Sequence, residues 1–406
     1  MDVDESNNPQ QDVTDYSTQF NRWLLKPMGA WPSEDSTPIK DKVISIILAI
    51  TCYSLIVYAL VPCILNILFE ETDMHKKITT LGPLSHWSIG GVNYFFLLIR
   101  SRDINRCVQH MRNDWRTVTD SEDRGAMMRY AKVGRFVAGL CAIVMPSGVI
   151  AHTLLTGTTP VIVHIGNKSV STYLLPCPSY TKFVDTTKSP AFEITLILQL
   201  MSSIIVTFIR VGTCSLAAVF ATHACGQLTM LMRWLDQLEN RKKQNTVQHR
   251  LGNIVEHHLK VLSFVAQMEA LMNQLCFVEV LGCTFDLCLL GYYIITGWNV
   301  MGRKLSISYV IIYVGMAFNI FILCYIGEIV TEQCKQVGET AYMTNWYDLA
   351  HTTARDLILI ISRSSTVTKL TAGKLVHLSI STFGDVSTQK CISYFVQSNT
   401  FTKCFR

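Results

Sequence analysis

Between residues 374 and 396, Lys374, His377, Ser381, Asp385 and Thr388 follow one another at steps of 3, 4, 4 and 3, which on a helix is one face. An ammonium, an imidazole, hydroxyls and a carboxylate in a row are the chemistry that can replace water around a passing ion. In that role Asp385 would set cation preference, as acidic rings do; pairing with Lys390 or with a neighbouring helix is the equal alternative. Val376, Ile380 and Phe383 lie on another face. A helix this polar cannot face lipid, because each polar group costs free energy in hydrocarbon. Two readings stay open from the residues alone: a stripe hidden in the packed core of one bundle, or copies of the helix around an axis lining a water-filled pore.

Other reactive-looking residues lead nowhere catalytic. The chain has no P-loop, GxGxxG, GxSxG or HExxH, so an enzyme is not expected, and no cofactor or metal. The pair His257-His258 has no Cys or His partner at ligand spacing and is read as part of a solvated face. Most of the fourteen cysteines, scattered without CxxC pairs, are read as small reduced core residues rather than a disulfide framework. Arg210, inside an apolar run, is expected to snorkel or to pair near the inner boundary. A net charge of +5 on 406 residues is too small to indicate nucleic acid and fits basic loops beside anionic lipid.

The elements that must hold these residues are membrane helices. Hydrophobic residues make up 49% of the chain and charged ones 16%, where a soluble domain carries about a quarter; mean hydropathy is +0.28. Crossing about 30 Å of hydrocarbon takes roughly 20 mostly apolar residues, and seven segments qualify: 43–69, 79–99, 136–155, 191–222, 275–297, 305–327 and 374–396. The second is interrupted by Gly82, Pro83, His86, Gly90 and Gly91, and the last is the most polar. With the N-terminus in the cytoplasm, the inner segments 1–42, 100–135, 223–274 and 328–373 carry 4, 9, 6 and 4 Lys and Arg. The outer segments 70–78, 156–190, 298–304 and 397–406 carry 2, 3, 2 and 2. The positive-inside rule therefore predicts an all-α polytopic protein with seven transmembrane helices, N-terminus cytoplasmic and C-terminus extracellular. The one N-x-S/T sequon, at Asn167, falls on an outer loop, where glycosylation occurs. Residues 223–274 keep helical spacing through Leu228, Leu231, Leu235, Leu238, Leu259, Leu262 and Val265, which predicts helices reaching into the cytosol with a break at 244–252. Intramolecular packing and subunit assembly are both open roles for them. The organisation is then a cytoplasmic segment 1–42, six spans with long inner loops over 43–327, an inner helical segment 328–373, and a last helix with a short outer tail over 374–406.

The C-terminal third carries a more specific likeness. Cys324, Gly327 and Glu328 close the sixth span. They are followed by Ala341-Tyr342, Trp346-Tyr347, Leu349, Arg355, Ile360-Ile361 and Arg363-Ser364, then by Leu370-Thr371-Ala372-Gly373-Lys374, Leu378-Ser379, Phe383 and Ser393-Tyr394-Phe395. This order resembles the closing signature of insect odorant receptors, and Met111-Arg112-Asn113-Asp114-Trp115 is similar to a stretch common in receptors of ants and their relatives. The resemblance implies an odorant-gated, non-selective cation channel in the plasma membrane of olfactory sensory neurons. In it, a tuning subunit and the odorant receptor co-receptor form a hetero-tetramer, monovalent and divalent cations permeate, and the inner helices form a cytosolic anchor. This chain lacks the long insertion typical of the co-receptor and so looks like a tuning subunit. The seventh span would line the pore, from Lys374, His377, Ser381, Asp385 and Thr388 to Gln397. The family pattern continues after Tyr394-Phe395 with apolar residues; Gln397 departs from it, and a polar side chain there would weaken closure by dewetting.

The same resemblance places a small volatile odorant in the outer half of the bundle, among the second to sixth spans. The matching positions are Tyr94, Phe95, Met145, Gly148, His152, Gln199, Met201, Tyr309 and Tyr313. Tyr309 and Tyr313, four apart, share a face. Ordinary packing or an interfacial belt is the competing role for each aromatic. A gustatory receptor shares the architecture but closes on a different signature. A G-protein-coupled receptor would require an outer N-terminus with Asp-Arg-Tyr-like and NPxxY-like motifs, which are missing, and a secondary transporter would require internal repeats.

Overall fold

The computed structural model describes residues 9–33, 37–158, 160–165, 168–173, 175–180, 182, 189–238, 244–297, 303–366 and 369–388. Apolar runs and the amphipathic segments beside them fuse into continuous helices. In chain order these are α1 (Pro9–Leu25), α2 (Ile39–Phe69), α3 (Met74–Ile99), α4 (Ser101–Thr117) and α5 (Ser121–Thr158). An antiparallel hairpin follows, β1 (Pro160–Ile165) with β2 (Lys168–Tyr173). Then come α6 (Ala191–Asp236), α7 (Gln244–Gly297), α8 (Arg303–Met343), α9 (His351–Ser365), a second hairpin of β3 (Thr371–Ala372) and β4 (Val376–His377), and α10 (Ile380–Thr388).

Helices α2, α5, α6, α7 and α8 are long and apolar enough to cross a membrane. At 46 residues, α6 is about 69 Å long, roughly twice the hydrocarbon thickness, so one rod holds both the fourth span and its inner extension. α7 and α8 do the same for spans five and six, and the divide expected at 327 falls inside α8. The break expected at 244–252 is instead the first part of α7. The turn comes earlier, where α6 ends at Asp236 and the Gln237 N–H closes onto the Arg233 carbonyl. Gly252 stays helical, with open space where a side chain would be.

α6 is the central helix. In its apolar window 89% of residues are buried, against 17% in α2, which places α2 on the rim with Ile46, Ile47 and Ile50 outward. Small residues along α6, among them Ala217, Ala218, Ala221 and Ala224, are fully covered and let neighbouring helices approach closely. The same device serves α5 against α8: a methyl group on Gly148 would lie 2.9 Å from the Ile312 backbone.

Cysteine behaves as expected with one exception. Among the described residues ten cysteines take part in no disulfide, nine of them buried, but Cys63 in the second half of α2 is disulfide-bonded to Cys177 in the segment before α6. The pair is 114 residues apart in sequence, so no local spacing announces it.

Candidate functional site

A cavity of about 20 Å³ lies between α3, α5, α6 and α8, room for about one water-sized group. Its apolar wall is Met145, Val149, Ile312 and Met316, with the Gly315 backbone, and its polar wall is His86, Thr207, Arg210 and Asn319. An apolar pocket with a few converging polar groups is the usual form of a small-molecule site.

Behind the polar wall stands an ionic network that the sequence reading missed. Arg210 does not snorkel; it pairs, and does so buried, with Nε donating to Glu279 Oε1 at 2.8 Å and Nη2 to Cys283 Sγ at 2.8 Å. Its Nη1 lies 3.4 Å from His86 Nδ1 and 4.0 Å from Asp286 Oδ2. Asn93 Nδ2 donates to Glu279 Oε2 at 2.6 Å, Asn319 Nδ2 donates to Glu279 Oε1, and Ser85 donates to Asp286. The signal was available: an arginine in one span, and in the next a glutamate and an aspartate seven apart, hence on one helix face. Ionisable residues inside membrane spans are functional candidates by default.

Of the nine positions expected to bind ligand, Met145 lines the cavity and Gly148 lies one turn beyond it against α8. Next to them His152 Nδ1 is 3.1 Å from Ser308 Oγ, and its ring packs on Tyr309 at 4.9 Å. Tyr309 in turn meets Tyr293 at 5.7 Å. Tyr309 and Tyr313 both pack against the cluster of Leu289, Leu290, Tyr293 and Ile312, so the shared face is real, one layer above the cavity wall. The other four are elsewhere. Tyr94 is fully buried and donates to the Met28 carbonyl, which fastens α3 to the N-terminal segment. Gln199 clasps the Cys177 backbone, Nε2 to its carbonyl at 2.8 Å and Oε1 from its N–H at 3.2 Å. Phe95 and Met201 are half-exposed on the bundle's outside.

The expected polar stripe is split by backbone conformation. Gly373 and Lys374 both take left-handed φ, 65° and 57°, and reverse the chain between β3 and β4. Lys374 and His377 are therefore on a hairpin, not on a helix with Ser381 and Asp385. The hairpin is anchored to α7: the Gly373 N–H donates to Asn273 O at 3.1 Å, and Thr371 Oγ1 donates to Glu269 Oε1 at 2.6 Å. Ser379 caps α10, accepting the Thr382 N–H at 3.2 Å, as serine does at helix starts. Phe383 packs on Phe321 of α8, while Ser381 and Asp385, four apart, remain exposed on α10. Thr388 is the last residue of that helix; Gln397, Lys390 and the Ser393-Tyr394-Phe395 run lie outside the described residues, as does Asn167.

At the far end of the bundle the histidine pair is not solvated. His258 is buried, and the His257 ring packs tilted against Trp234 at 4.9 Å. No group of metal-ligating side chains occurs there or elsewhere among the described residues. Nearby Asp114 holds His223 Nε2 at 3.0 Å and Lys260 Nζ at 2.6 Å. Burial would raise the Asp114 carboxyl, but the hydrogen bonds from His223 and Lys260 hold it below its ordinary range. Burial pushes His257 and His258 each down to about 4.

A sequence profile of the family described as 7tm Odorant receptor matches residues 73–388, most of the chain. The chain belongs to the odorant receptor family, multi-pass membrane proteins and not enzymes. It is similar to Odorant receptor 82a of Drosophila melanogaster, with 22% identity covering 88% of this chain and 92% of that protein. Odorant receptor Or2 of Anopheles gambiae is 21% identical over 80% of this chain and 87% of its own. Among solved structures, the insect olfactory receptor OR5 from Machilis hrabei has the same fold, with a TM-score of 0.75, 16% identity and coverage of 96% of this chain and 98% of that one. The structure of that receptor in complex with eugenol superposes with a TM-score of 0.75 at 14% identity.

Proposed function

We propose that this chain is the odorant-binding, tuning subunit of a ligand-gated, non-selective cation channel assembled as a hetero-tetramer with the odorant receptor co-receptor. The observation that carries the reading is the cavity between α3, α5, α6 and α8, bounded by Met145, Ile312 and Met316 on one side and by His86 and Asn319 on the other. A small volatile ligand, of the size of the eugenol held by the Machilis hrabei receptor, would enlarge this cavity toward His152, Tyr309 and Tyr313. Binding would open the channel by being tighter in the open state than in the closed one.

Ions would pass beside the exposed face of α10, Ser381 and Asp385, then Thr388 and Gln397, with Lys374 and His377 of the hairpin at the inner mouth. The basic residues favour a cytoplasmic N-terminus. The disulfide supports the same orientation, since Cys177 belongs to the segment placed outside, where disulfides persist. Asn167 would be glycosylated on that side. The membrane is then the plasma membrane of an olfactory sensory neuron.

The test is expression in heterologous cells with and without the co-receptor, under a broad odorant panel. Odorant-evoked cation current that requires both chains is the expected result; current carried only through G proteins would refute it.

A further inference from the structure

Two side chains that line the cavity each keep one polar atom with no hydrogen-bond partner among the described residues, although both are buried: His86 at Nε2 and Asn319 at Oδ1. Their roles are fixed by what holds the rest of each group. The Arg210 guanidinium beside His86 Nδ1 can only donate, so Nδ1 accepts and the ring proton sits on Nε2. Asn319 turns one end of its amide to the Glu279 carboxylate, and only the NH₂ end can donate there, so Oδ1 is the end left over. The residues around this one small space thus hold one unused N–H donor and one unused carbonyl acceptor. Arg210 gives a donor each to Glu279, Cys283 and His86, and two carboxyl groups stand beside that single guanidinium.

Resting on the reading of this cavity as the odorant site, we infer that the ligand carries a hydroxyl group, an alcohol or phenol, which accepts from His86 Nε2 and donates to Asn319 Oδ1. A hydroxyl is the small group that does both. Ether, ester, aldehyde and ketone oxygens only accept and leave Asn319 Oδ1 unmade. A hydrocarbon leaves both unmade. A carboxylate meets an acceptor in front and an excess of carboxyl groups behind. A site built to pair a substrate hydroxyl rejects the analogue that lacks it, because its own polar groups are then buried without partners.

The experiment records currents from the chain with the co-receptor under matched sets that share a carbon skeleton: n-hexanol, methyl n-hexyl ether and n-heptane, and benzyl alcohol, benzyl methyl ether and ethylbenzene. For the skeleton that responds best, the alcohol should act at a half-maximal concentration lower than that of the ether by about tenfold or more, with the hydrocarbon weaker still. His86→Phe, which removes the donor, should collapse the alcohol-to-ether ratio toward one, whereas His86→Gln, which keeps an N–H, should preserve part of it. Being a ratio within one variant, this readout does not depend on how much receptor reaches the surface. An ether or hydrocarbon as potent as its alcohol overturns the hydroxyl inference and leaves the odorant-receptor reading intact, as does a His86→Phe variant that keeps the full ratio. Silence toward every compound, with both chains at the cell surface, overturns the receptor reading and this inference with it.

Discussion

A guanidinium inside a membrane bundle is costly unless its N–H groups are used, and Arg210 uses them on Glu279, Cys283 and His86. Removing one partner of a buried pair strands the other, at about 3–5 kcal/mol. Arg210→Met should therefore sharply reduce folded receptor at the cell surface, and adding Glu279→Met should restore part of it, since the two losses share one cause. Surface labelling measures both, and wild-type levels for the single variant would remove the structural role. Tyr313 offers a contrasting case, being partly buried against an apolar cluster, with no side-chain hydrogen bond among the described residues. Tyr313→Ala should cost the odorant response while leaving co-assembly intact; an unchanged dose-response curve would exclude it from the ligand's surroundings. His86 and Asn319 escaped the reading of the sequence because neither sits in a pattern. Their significance comes from what α6 and α7 bring to them, contacts 124 and 40 residues distant in the chain.

At the scale of elements, hydropathy located the long spans well, because burial in lipid leaves a composition signal that survives without any knowledge of neighbours. It failed at α10. Spacing joined Lys374 and His377 to Ser381 and Asp385, yet two consecutive left-handed residues, Gly373 and Lys374, turn the chain before the helix starts. The cue was there: a glycine that permits such backbone, then Ser379 three residues before Thr382, the arrangement of a helix cap. What α10 keeps of the expectation is its exposed Ser381 and Asp385. If that face meets ions, Asp385→Asn should lower calcium permeability relative to sodium. A reversal potential in calcium-rich solution that does not move would take Asp385 out of the ion path. The extension of the spans into longer helices was half legible: the heptad-like leucines of 223–274 announced helices, but not that α7 runs unbroken through Gly252.

For the whole molecule, the two ends are chemically unlike. One holds the cavity and the disulfide; the other holds Asp114, His223, Lys260, His257 and His258, packed around Trp234 and Phe264. His257 and His258 are kept neutral by burial, with Lys260 and Arg363 acting in the same direction. Unfolded, each would take up a proton near 6.5; folded, each resists until about 4. Protons therefore bind the unfolded chain preferentially in that window, so this end should hold its full stability above about pH 6.5 and lose it progressively as pH falls toward 4. Thermal unfolding of purified receptor across that range checks the sign, and His258→Phe should flatten the slope; a stability that rises on acidification contradicts the burial argument. Both ends are threaded by α6, which reaches the cavity at Thr207, the far cluster at His223, and beyond it an ion pair of Arg233 with Asp123 of α5, without interruption. From Thr207 to Arg233 that rod measures about 39 Å. Used as a lever pivoting at the cavity, it would turn a tilt of about three degrees into a swing of about 2 Å at the opposite tip, comparable with the shifts by which packed helices switch between states.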